Sequence, residues 1–572
     1  MKEQLPLTIL FSKNIFKRLR ATKTAWKGCL YGLQTIDTYY ILGYTIGDLP
    51  DDEGSDRIKD GFHTVRESLP ANLKHLGHLA VDVNQLPKPE DILLKGNISG
   101  SCIVLSFCLD ADQMPSVGVM TQSDGFQECP YEILENTDLL EKMLLFRVRY
   151  QATIAVEPSE EGVSELSGRI REQLSASRVA FMTAGEDFIT AHGKAVKSQK
   201  KVKDLELSGK DFSYEGRTIF CEVLSCRIRE AASFQNRSTM KIKFTEGKIL
   251  YPLTLEGISL IHEEMGREKL HATLWDSLEQ SMSLLEKTLK QQFEKTSRIE
   301  ACRPYVVKIQ DFTHPCVCFW PRNADEADPV LKDRRRELHK IFGLPLTRPF
   351  FRKTNSYREI HPEVLQNTHV GLKGALQGGQ QYLVQGVYSY YHYMQQGFND
   401  NGWGCAYRSF QTIFSWFRHQ GYTDHPVPTH KNIQEALVTL GDKQKSFLGS
   451  TQWIGSTEVG LCLEKFLNVS SRIMFCQSGS ELVHKGAELA MHFESQGTPI
   501  MIGGGVLAHT IIGVDFNRLT GETKFLILDP HYTGSEDLHT IQQKGFCSWK
   551  TGNFWDKKSY YNLCMPIRPV IF

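Results

Sequence analysis

The residue best placed for chemistry is Cys405, which follows a Gly-Trp-Gly sequence within the segment Asn399 to Phe410. At a helix N-terminus, unpaired N–H groups and the helix dipole favour a thiolate and lower a cysteine pKa from its ordinary value of about 8.5. A helix that begins at Cys405 and stops before Gly421 is predicted by apolar residues at the i, i+3, i+4, i+7 spacing, namely Phe410, Ile413, Phe414 and Phe417. The motif therefore indicates a nucleophilic cysteine, and a buried thiol without a catalytic role fits it equally well.

The residues just before Cys405 are suited to a sharp turn. Asp400 or Asn401 can cap the helix with a side-chain oxygen, and Gly402 and Gly404 let the backbone turn. We therefore expect the thiol to be held at the first turn, where the same N–H groups can also bind an oxyanion.

A second candidate segment is Lys524 to Gly534, in which an apolar stretch ends in Asp529-Pro530-His531. Because residues i and i+2 of a strand share a face, Asp529 and His531 are expected to point to one side. A carboxylate can then accept the Nδ1–H of an imidazole whose Nε2 faces a nucleophile, which would be Cys405. The alternative is a turn in which Asp529 caps backbone N–H groups and His531 is half exposed.

Four segments together resemble the ubiquitin-fold modifier-specific proteases, a papain-like group of cysteine peptidases, over roughly residues 380 to 572. The resemblance implies that Cys405 is the nucleophile, His531 the general base and Asp529 the carboxylate that orients it. The segments that carry it are Asp400 to Ser409, Gln452 to Ser456, Gly503 to Thr510 and Asp529 to Gly534.

The resemblance also implies an oxyanion hole that combines the N–H of Cys405 with a tyrosine hydroxyl. The matching position is Tyr393, and Tyr390 and Tyr391 are neighbouring alternatives. On this basis we expect a thiol-dependent isopeptidase that cuts after the C-terminal glycine of a ubiquitin-fold modifier, both in its precursor and in its conjugates.

Several glycines, tryptophans and one histidine near these segments are candidates for substrate binding. Glycines allow a flexible glycine tail to approach the backbone closely, and an indole can cover a narrow channel. The run Gly503 to Gly505 lacks the following Gly-Lys-Ser/Thr of a phosphate loop and leads into an apolar strand, so a nucleotide role is not expected. The candidates are Trp403, Gly404, Trp453, Gly504 and, as a secondary choice against a purely structural role, His509.

Composition excludes several other classes of function. The 14 cysteines are scattered without paired Cys-x-x-Cys motifs, so we expect no metal, no cofactor and a reducing compartment. The net charge of +0 gives no reason to expect nucleic acid as a partner. No run of about 18 apolar residues occurs, so no membrane-spanning segment is expected.

The length of 572 residues predicts several domains, and the mixture of patterns predicts an α+β fold class. We expect a non-catalytic N-terminal region over residues 1–322, a charged, proline-punctuated connection over 323–377 and a papain-like protease domain over 378–572. Within the first region we predict a helix over 159–178, a strand with one wet face over 146–156, and strands near 218–228 and 240–255. A longer helix is expected to pack on its own domain through Leu274, Leu278, Met282, Leu285, Leu289 and Phe293.

The long, type 2 form of this protease family carries such an N-terminal region, and the chain resembles that form. The resemblance implies an MPN-like, non-catalytic region that serves substrate choice and recruitment to the endoplasmic reticulum by a membrane-anchored adaptor. Residues 1–322 lack the His-x-His-Pro signature of MPN metalloproteases, so a second active site is not expected. The expected location is the cytoplasm, at the cytosolic face of the endoplasmic reticulum, with a nuclear pool as a further option.

Two alternative functions compete with this interpretation. The autophagy cysteine protease family shares a Gly-Trp-Gly-Cys helix and an Asp-Pro-His pair and acts on a different ubiquitin-like protein, but the long N-terminal region argues against it. The other alternative is a non-catalytic adaptor, which is disfavoured because Cys405, Asp529 and His531 are all present.

Overall fold

In the computed structural model the chain folds into two compact units, each defined by the contacts among its own residues. The first comprises Met1–Pro345 and Ser356–Glu359, and the second comprises Leu346–Asn355 and Ile360–Phe572. The structure describes residues 8–47, 61–92, 101–110, 113–121, 123, 125–176, 179–183, 188–191, 202, 211–213, 216–225, 249–309, 311–356, 364–372, 374 and 376–569.

The first unit begins with a mixed sheet to which eight strands of the described residues contribute, in the order β7-β6-β5-β4-β2-β3-β1-β8. Alternate residues of its strands are buried in a core that includes Leu30, Ile41 and Leu79. The elements are β1 (Thr8–Ser12), α1 (Lys13–Arg20), β2 (Trp26–Gln34), β3 (Thr38–Ile46), α2 (Gly61–Val65), β4 (Lys74–Asp82), α3 (Pro89–Ile92), β5 (Cys102–Cys108), β6 (Ser116–Thr121), β7 (Gly125–Glu128), β8 (Tyr131–Leu134) and α4 (Asn136–Glu141).

A second sheet of the first unit has the strand order β11-β10-β13-β9-β14 along its main path, with β12 paired to β13 and a separate hairpin of β15 and β16. The predicted strands lie here, and the helix predicted over 159–178 is present but ends earlier, at Gln173, because Leu174 is extended. Residues 177–178, 226–228 and 240–248 of these predictions lie outside the described residues. The elements are β9 (Met143–Val156), α5 (Glu160–Gln173), β10 (Val179–Thr183), β11 (Phe188–Thr190), β12 (Asp211–Ser213), β13 (Gly216–Ser225), β14 (Ile249–His262), α6 (Leu270–Thr296), β15 (Cys302–Val307), β16 (Cys316–Pro321) and α7 (Pro329–Ile341).

Helix α6 confirms the predicted packing of a long apolar face on its own domain. Leu274, Leu278 and Leu289 are fully buried in the same core as strands β9 and β14, and Phe293 at the end of the face is only partly buried. The helix is 27 residues long, but its other face is polar. Among the described residues, no helix combines the length and the hydropathy needed to cross a bilayer.

The prediction of a wet face on β9 is wrong at Arg147. Its side chain is only 4% exposed, and its Nε donates to Oε1 of the equally buried Glu256 at 2.7 Å. The reason is topological, because β9 is an inner strand between β13 and β14, and β14 supplies the Glu256 carboxylate from the position opposite Arg149, two residues along β9 from Arg147. A buried guanidinium needs such a partner, since an unpaired charge in a core costs several kcal/mol, on the order of 3 to 5 when one partner is removed.

Part of the predicted connection over 323–377 is regular structure rather than linker. Helix α7 starts with Asp328 as N-cap, which accepts hydrogen bonds from the N–H groups of Val330 and Leu331. Arg335 on this helix is 2% exposed and contacts the Glu326 carboxylate at 3.0 Å. The charged composition of this stretch therefore reflects paired side chains as well as solvated ones.

The second unit is an antiparallel sheet of the order β18-β23-β19-β20-β21-β22, with β17 added beside β20, and helices packed against it. Its described elements are β17 (Gln380–Leu383), α8 (Cys405–His419), α9 (His430–Thr439), α10 (Ser456–Leu467), β18 (Ser471–Cys476), α11 (Gly479–Leu482), α12 (Gly486–Ser495), β19 (Ile500–Gly504), β20 (Leu507–Phe516), β21 (Thr523–Leu528), α13 (Leu538–Gln543), β22 (Cys547–Lys550) and β23 (Tyr561–Pro566).

Helix α8 begins at Cys405, as predicted, but it is buried on every side rather than amphipathic. Each residue from Cys405 to Phe417 is buried, including polar ones such as Arg408 and Thr412. A helix buried all round is a central element, and its polar side chains must find partners inside the protein. The spacing of apolar residues predicted the position of the helix correctly, but it did not predict that the polar side chains of the helix are buried as well.

Candidate active site

The start of α8 is fixed by Asp400, which is fully buried. Its Oδ1 accepts from the N–H of Met394 at 2.8 Å, and its Oδ2 accepts from Nε of Arg408 at 2.5 Å. Nε2 of His430 lies 3.0 Å from the same Oδ2. Asp400 and Asn401 were predicted as helix caps, and that prediction is wrong, because Gly404 occupies the N-cap position without a side-chain cap.

The two glycines before the cysteine serve different purposes. Gly402 has a φ of +84°, a left-handed conformation that glycine adopts at little cost. Gly404 has an ordinary φ of −88°, but a Cβ there would lie 2.6 Å from Cβ of Asp400. Gly404 therefore permits close packing of the turn on the buried carboxylate, which holds Cys405 at the helix start.

The Asp-Pro-His segment follows directly after β21, which ends at Leu528. Oδ1 of Asp529 lies 2.5 Å from Nδ1 of His531 and also accepts from the backbone N–H of His531 at 2.9 Å. One oxygen thus binds the imidazole, as in the first interpretation, and a backbone N–H, as in the second, but the His531 side chain is only 20% exposed rather than half exposed. With Nδ1 engaged, Nε2 of His531 is buried and makes no hydrogen bond within the described residues.

The ionisation of the site couples Cys405 to His531. Burial opposes a charged thiol, but the His531 imidazole, the Tyr393 hydroxyl and the Ala508 N–H outweigh it and lower the pKa of Cys405. Burial likewise opposes a charged imidazole, but Asp529 and Cys405 raise the pKa of His531 to about 9. The arrangement therefore favours a thiolate and an imidazolium side by side, which is the form of a reactive cysteine pair.

The tyrosines near the site have distinct environments. The hydroxyl of Tyr390 donates to the carbonyl of Asp529 and so holds the backbone that carries the triad carboxylate. Tyr393 interacts with the Cys405 thiol, and burial together with that thiol raises the pKa of Tyr393 so that its hydroxyl stays protonated. Its ring meets the His531 ring edge-on with centroids 5.3 Å apart. The geometry thus gives Tyr393, rather than Tyr390, a hydroxyl beside the nucleophile.

A groove of about 440 Å³ opens at Cys405 and contains most of the predicted substrate-binding residues. Trp403 and Trp453 line it, together with the glycines from Gly503 to Gly505. A Cβ at Gly504 would lie 2.2 Å from the Tyr561 ring, so position 504 allows no larger residue. Gly404 and His509 do not belong to the described lining.

His509 lies behind the triad instead. Its Nε2 is 3.9 Å from Oδ2 of Asp529, and its ring meets the His531 ring with centroids 5.2 Å apart. Burial lowers the pKa of His509 to about 4, so it is neutral and packs against the carboxylate without competing for it. The nitrogen and oxygen atoms of these three side chains lie within 4.8 Å of one another, a spacing that the triad itself explains.

Sequence reasoning missed the role of three residues that hold the catalytic segments in place. His430 is distant along the chain from Asp400, and Tyr390 from Asp529, whereas Arg408 lies eight residues after Asp400 in a segment already singled out but without a role assigned to the arginine. The one available signal was an arginine on the first turns of a helix predicted to be partly buried, which implies a hidden carboxylate.

Comparisons with known proteins match three parts of the chain. Residues 379–564 match the model of Peptidase family C78. Residues 5–139 match an insect UFM1-specific protease N-terminal MPN-like domain, and residues 230–362 match the N-terminal domain of ubiquitin-fold modifier 1 specific protease 2.

Several full-length proteins are similar to the chain. A probable Ufm1-specific protease 2 of Drosophila pseudoobscura pseudoobscura is 48% identical over 98% of both chains. The human Ufm1-specific protease 2 is 55% identical over 42% of this chain and 53% of its own length. The crystal structure of UfSP from C. elegans is 28% identical and covers 99% of both chains with a TM-score of 0.71.

A thiol at the start of a buried helix, facing an imidazole and carboxylate at the end of an antiparallel strand, defines a papain-like cysteine peptidase. The α+β fold class and the MPN-like N-terminal region predicted from the sequence are confirmed. The chain belongs to the Ufm1-specific protease 2 family.

The ionisation of Cys405 predicts its reactivity with iodoacetamide. Because the pKa of Cys405 is lowered and the imidazolium of His531 persists up to about pH 9, alkylation should already be fast at neutral pH. Replacing His531→Gln leaves burial unopposed by a cation, so the pH midpoint should move above the ordinary value of about 8.5. Rates are measured by mass spectrometry of the Cys405 peptide.

The matched control is His484→Gln, which removes an exposed histidine of the same unit and should leave the profile unchanged. Other thiols of this unit will contribute little, since burial raises the pKa values of Cys462 and Cys564 to about 12. A wild-type midpoint at or above that of His531→Gln would contradict an activated thiol.

Proposed function

We propose that this protein is a thiol-dependent isopeptidase that matures the Ufm1 precursor by cutting after its C-terminal glycine and removes Ufm1 from conjugated proteins. The observation that carries the proposal is the position of Cys405, whose thiol interacts with His531, at a groove that is also lined by the glycines from Gly503 to Gly505. The names of its relatives identify Ufm1 as the modifier that such proteins cleave.

In the proposed mechanism, the Cys405 thiolate attacks the carbonyl carbon of the glycine at the scissile bond. Negative charge moves onto the carbonyl oxygen, where the N–H of Cys405 and the hydroxyl of Tyr393 stabilise it. His531, already protonated, donates its Nε2 proton to the leaving amine, and a thioester remains. Neutral His531 then takes a proton from water, which hydrolyses the thioester and releases the carboxylate.

The roles of the supporting residues follow from their contacts. Asp529 holds Nδ1 of His531 so that Nε2 faces the nucleophile, and Tyr390 holds the carbonyl of Asp529. Asp400 keeps the turn before Cys405 in place through Arg408. None of these three groups needs to contact substrate, so we assign them to positioning.

The groove supports a modifier with a flexible tail rather than an internal peptide segment. Its glycine wall and two tryptophans leave little room for side chains next to the scissile bond. At its mouth, Trp453, Val506 and Leu507 are each at least half exposed. Apolar residues exposed in this way are suited to contact a folded body that follows the tail.

Precursor cleavage tests the choice of substrate. The full chain is incubated with a Ufm1 precursor and, separately, with an autophagy-type modifier precursor, each carrying a C-terminal extension. We expect cleavage after glycine in the first only, and no cleavage by Cys405→Ser, because an alcohol is not activated as a thiolate is.

Preferential cleavage of the autophagy-type precursor would favour the related protease family instead. If neither precursor is cut and Cys405 also resists a glycine-derived vinyl electrophile, the non-catalytic adaptor is the better description.

The oxyanion role of Tyr393 is tested by kinetics. Tyr393→Phe should lower kcat for precursor cleavage by about 10² to 10³ with little change in KM, because the hydroxyl is needed in the transition state. The matched control is Tyr390→Phe, which removes a hydroxyl that binds the Asp529 carbonyl and should lower kcat much less. A larger loss of kcat in Tyr390→Phe than in Tyr393→Phe would contradict the assignment of Tyr393 as the oxyanion donor.

We further propose that the protein acts in the cytoplasm and is recruited to the cytosolic face of the endoplasmic reticulum by a membrane-anchored adaptor, with a nuclear pool in addition. Support comes from the MPN-like N-terminal region, the part of the chain to which the family resemblance assigns recruitment.

Binding to isolated membranes tests this recruitment. Purified full-length chain should sediment with endoplasmic-reticulum microsomes, and should fail to sediment with microsomes shaved by protease or with protein-free vesicles of the same lipids. Equal binding to the vesicles, or no binding to untreated microsomes, would rule out a protein adaptor at this membrane.

A further inference from the structure

Three side chains that can ligate a metal converge in the first unit, far in sequence from the protease residues. Cys29 lies on β2, and His75 and His78 lie on β4. Their ligating atoms all lie within 4.8 Å of one another. The rings of the two histidines meet with centroids 5.0 Å apart and an interplanar angle of 66°.

The sheet register explains how two histidines three residues apart come to share a face. Cys29 lies directly opposite His78, and Tyr31 lies opposite His75, so β4 has one extra residue, Leu76, between these pairs. Such a bulge shifts the alternation of side chains by one residue. Without it, residues i and i+3 of a strand would point to opposite faces.

The packing of neighbouring residues confirms that Leu76 and His75 lie on opposite faces of the sheet. Leu76 belongs to the main core of the first sheet, together with Leu30 and Leu79. His75 instead packs against Phe62, with ring centroids 5.9 Å apart, on the opposite face of the sheet. Cys29 and Tyr31 are two apart on β2 and share that face with it, and Phe62 also contacts Tyr31.

We propose that Cys29, His75 and His78 bind a zinc ion. One thiolate and two imidazoles are a ligand set that zinc prefers, and three protein ligands leave a fourth position for water. Zinc bonds of about 2.3 Å to sulfur and 2.0 to 2.1 Å to nitrogen place tetrahedral ligand atoms about 3.5 Å apart. The three ligand atoms lie within 4.8 Å of one another in the structure, so the side chains must draw closer together to bind the ion.

The burial of the three residues suits an ion that enters from one side. Cys29 is fully buried, whereas His75 and His78 are partly accessible. An ion bound there would connect the inner strands β2 and β4 and stabilise the folded first unit, because the unfolded chain does not preform the site. The His-x-x-His spacing differs from the His-x-His-Pro signature sought in the sequence, and this site requires no peptidase activity in the first unit.

The test uses Co²⁺ as a spectroscopic probe and Zn²⁺ as its competitor, on full-length Cys405→Ser. His509, Asp529 and His531 are also close enough together to bind a metal ion. The Cys405→Ser variant lacks the thiol beside that group, so a thiolate-to-cobalt charge-transfer band must come from another cysteine. We expect one equivalent of Co²⁺ with that band and with visible bands of tetrahedral cobalt, and displacement by Zn²⁺.

Adding Cys29→Ser should abolish the charge-transfer band and weaken Co²⁺ binding at least tenfold, and adding His78→Gln should weaken binding similarly. The matched control is Cys108→Ser in the same background, which removes another buried cysteine of the same sheet and should leave the band and the affinity intact. Zinc should raise the thermal midpoint of Cys405→Ser and of this control but not of the Cys29 variant.

The proposal is overturned if Cys405→Ser shows no charge-transfer band, or if the Cys29→Ser variant binds Co²⁺ with the same band and affinity. If Cys29→Ser does not fold, His75→Gln and His78→Gln decide, since each leaves the thiol in place. Precursor cleavage by Cys29→Ser with Cys405 intact is expected to be unchanged, so this outcome is separate from that of the proposed protease function.

Discussion

The hydrogen bond between Asp529 and His531 determines how the second unit can act. It occupies Nδ1 and therefore turns Nε2 toward Cys405, and it also stabilises the imidazolium that in turn stabilises a thiolate. Both charged groups are largely buried, where an isolated charge would be strongly disfavoured. The site can hold a reactive thiolate because the attraction between the two charges offsets the cost of burying them, so each charged form is stable only beside the other.

Holding that pair requires a rigid environment, and two buried polar contacts supply it. Asp400 binds Arg408 inside the helix bundle and fixes the turn from which the nucleophile projects. Tyr390 binds the carbonyl of Asp529 and fixes the end of β21. The first contact is costly to break, since removing one partner of a buried ion pair such as Asp400 and Arg408 costs about 3 to 5 kcal/mol. The catalytic groups thus depend on residues that need not touch a substrate.

In the first unit, too, polar side chains are positioned by contacts with neighbouring elements. Its second sheet hides Arg147 against Glu256, and its first sheet uses a bulge at Leu76 to bring His75 and His78 to one face. In both cases a neighbouring strand places a second polar group beside the first, Glu256 of β14 beside Arg147 and Cys29 of β2 opposite His78. The strand order and the register, rather than the local pattern, create these sites.

The sequence by itself determined the catalytic motifs, the helix that starts at Cys405, the long helix α6 and the α+β class, since each depends on residues close together in the chain. It left open which tyrosine lies beside the thiol, and it misassigned Asp400 as a cap and Arg147 as solvent-exposed. Only the tertiary structure decided these points, because the pairing of Arg147 with Glu256 depends on which strands are neighbours, and because burial, which the local pattern does not show, turns an ordinary polar residue such as Asp400 into one that must be paired.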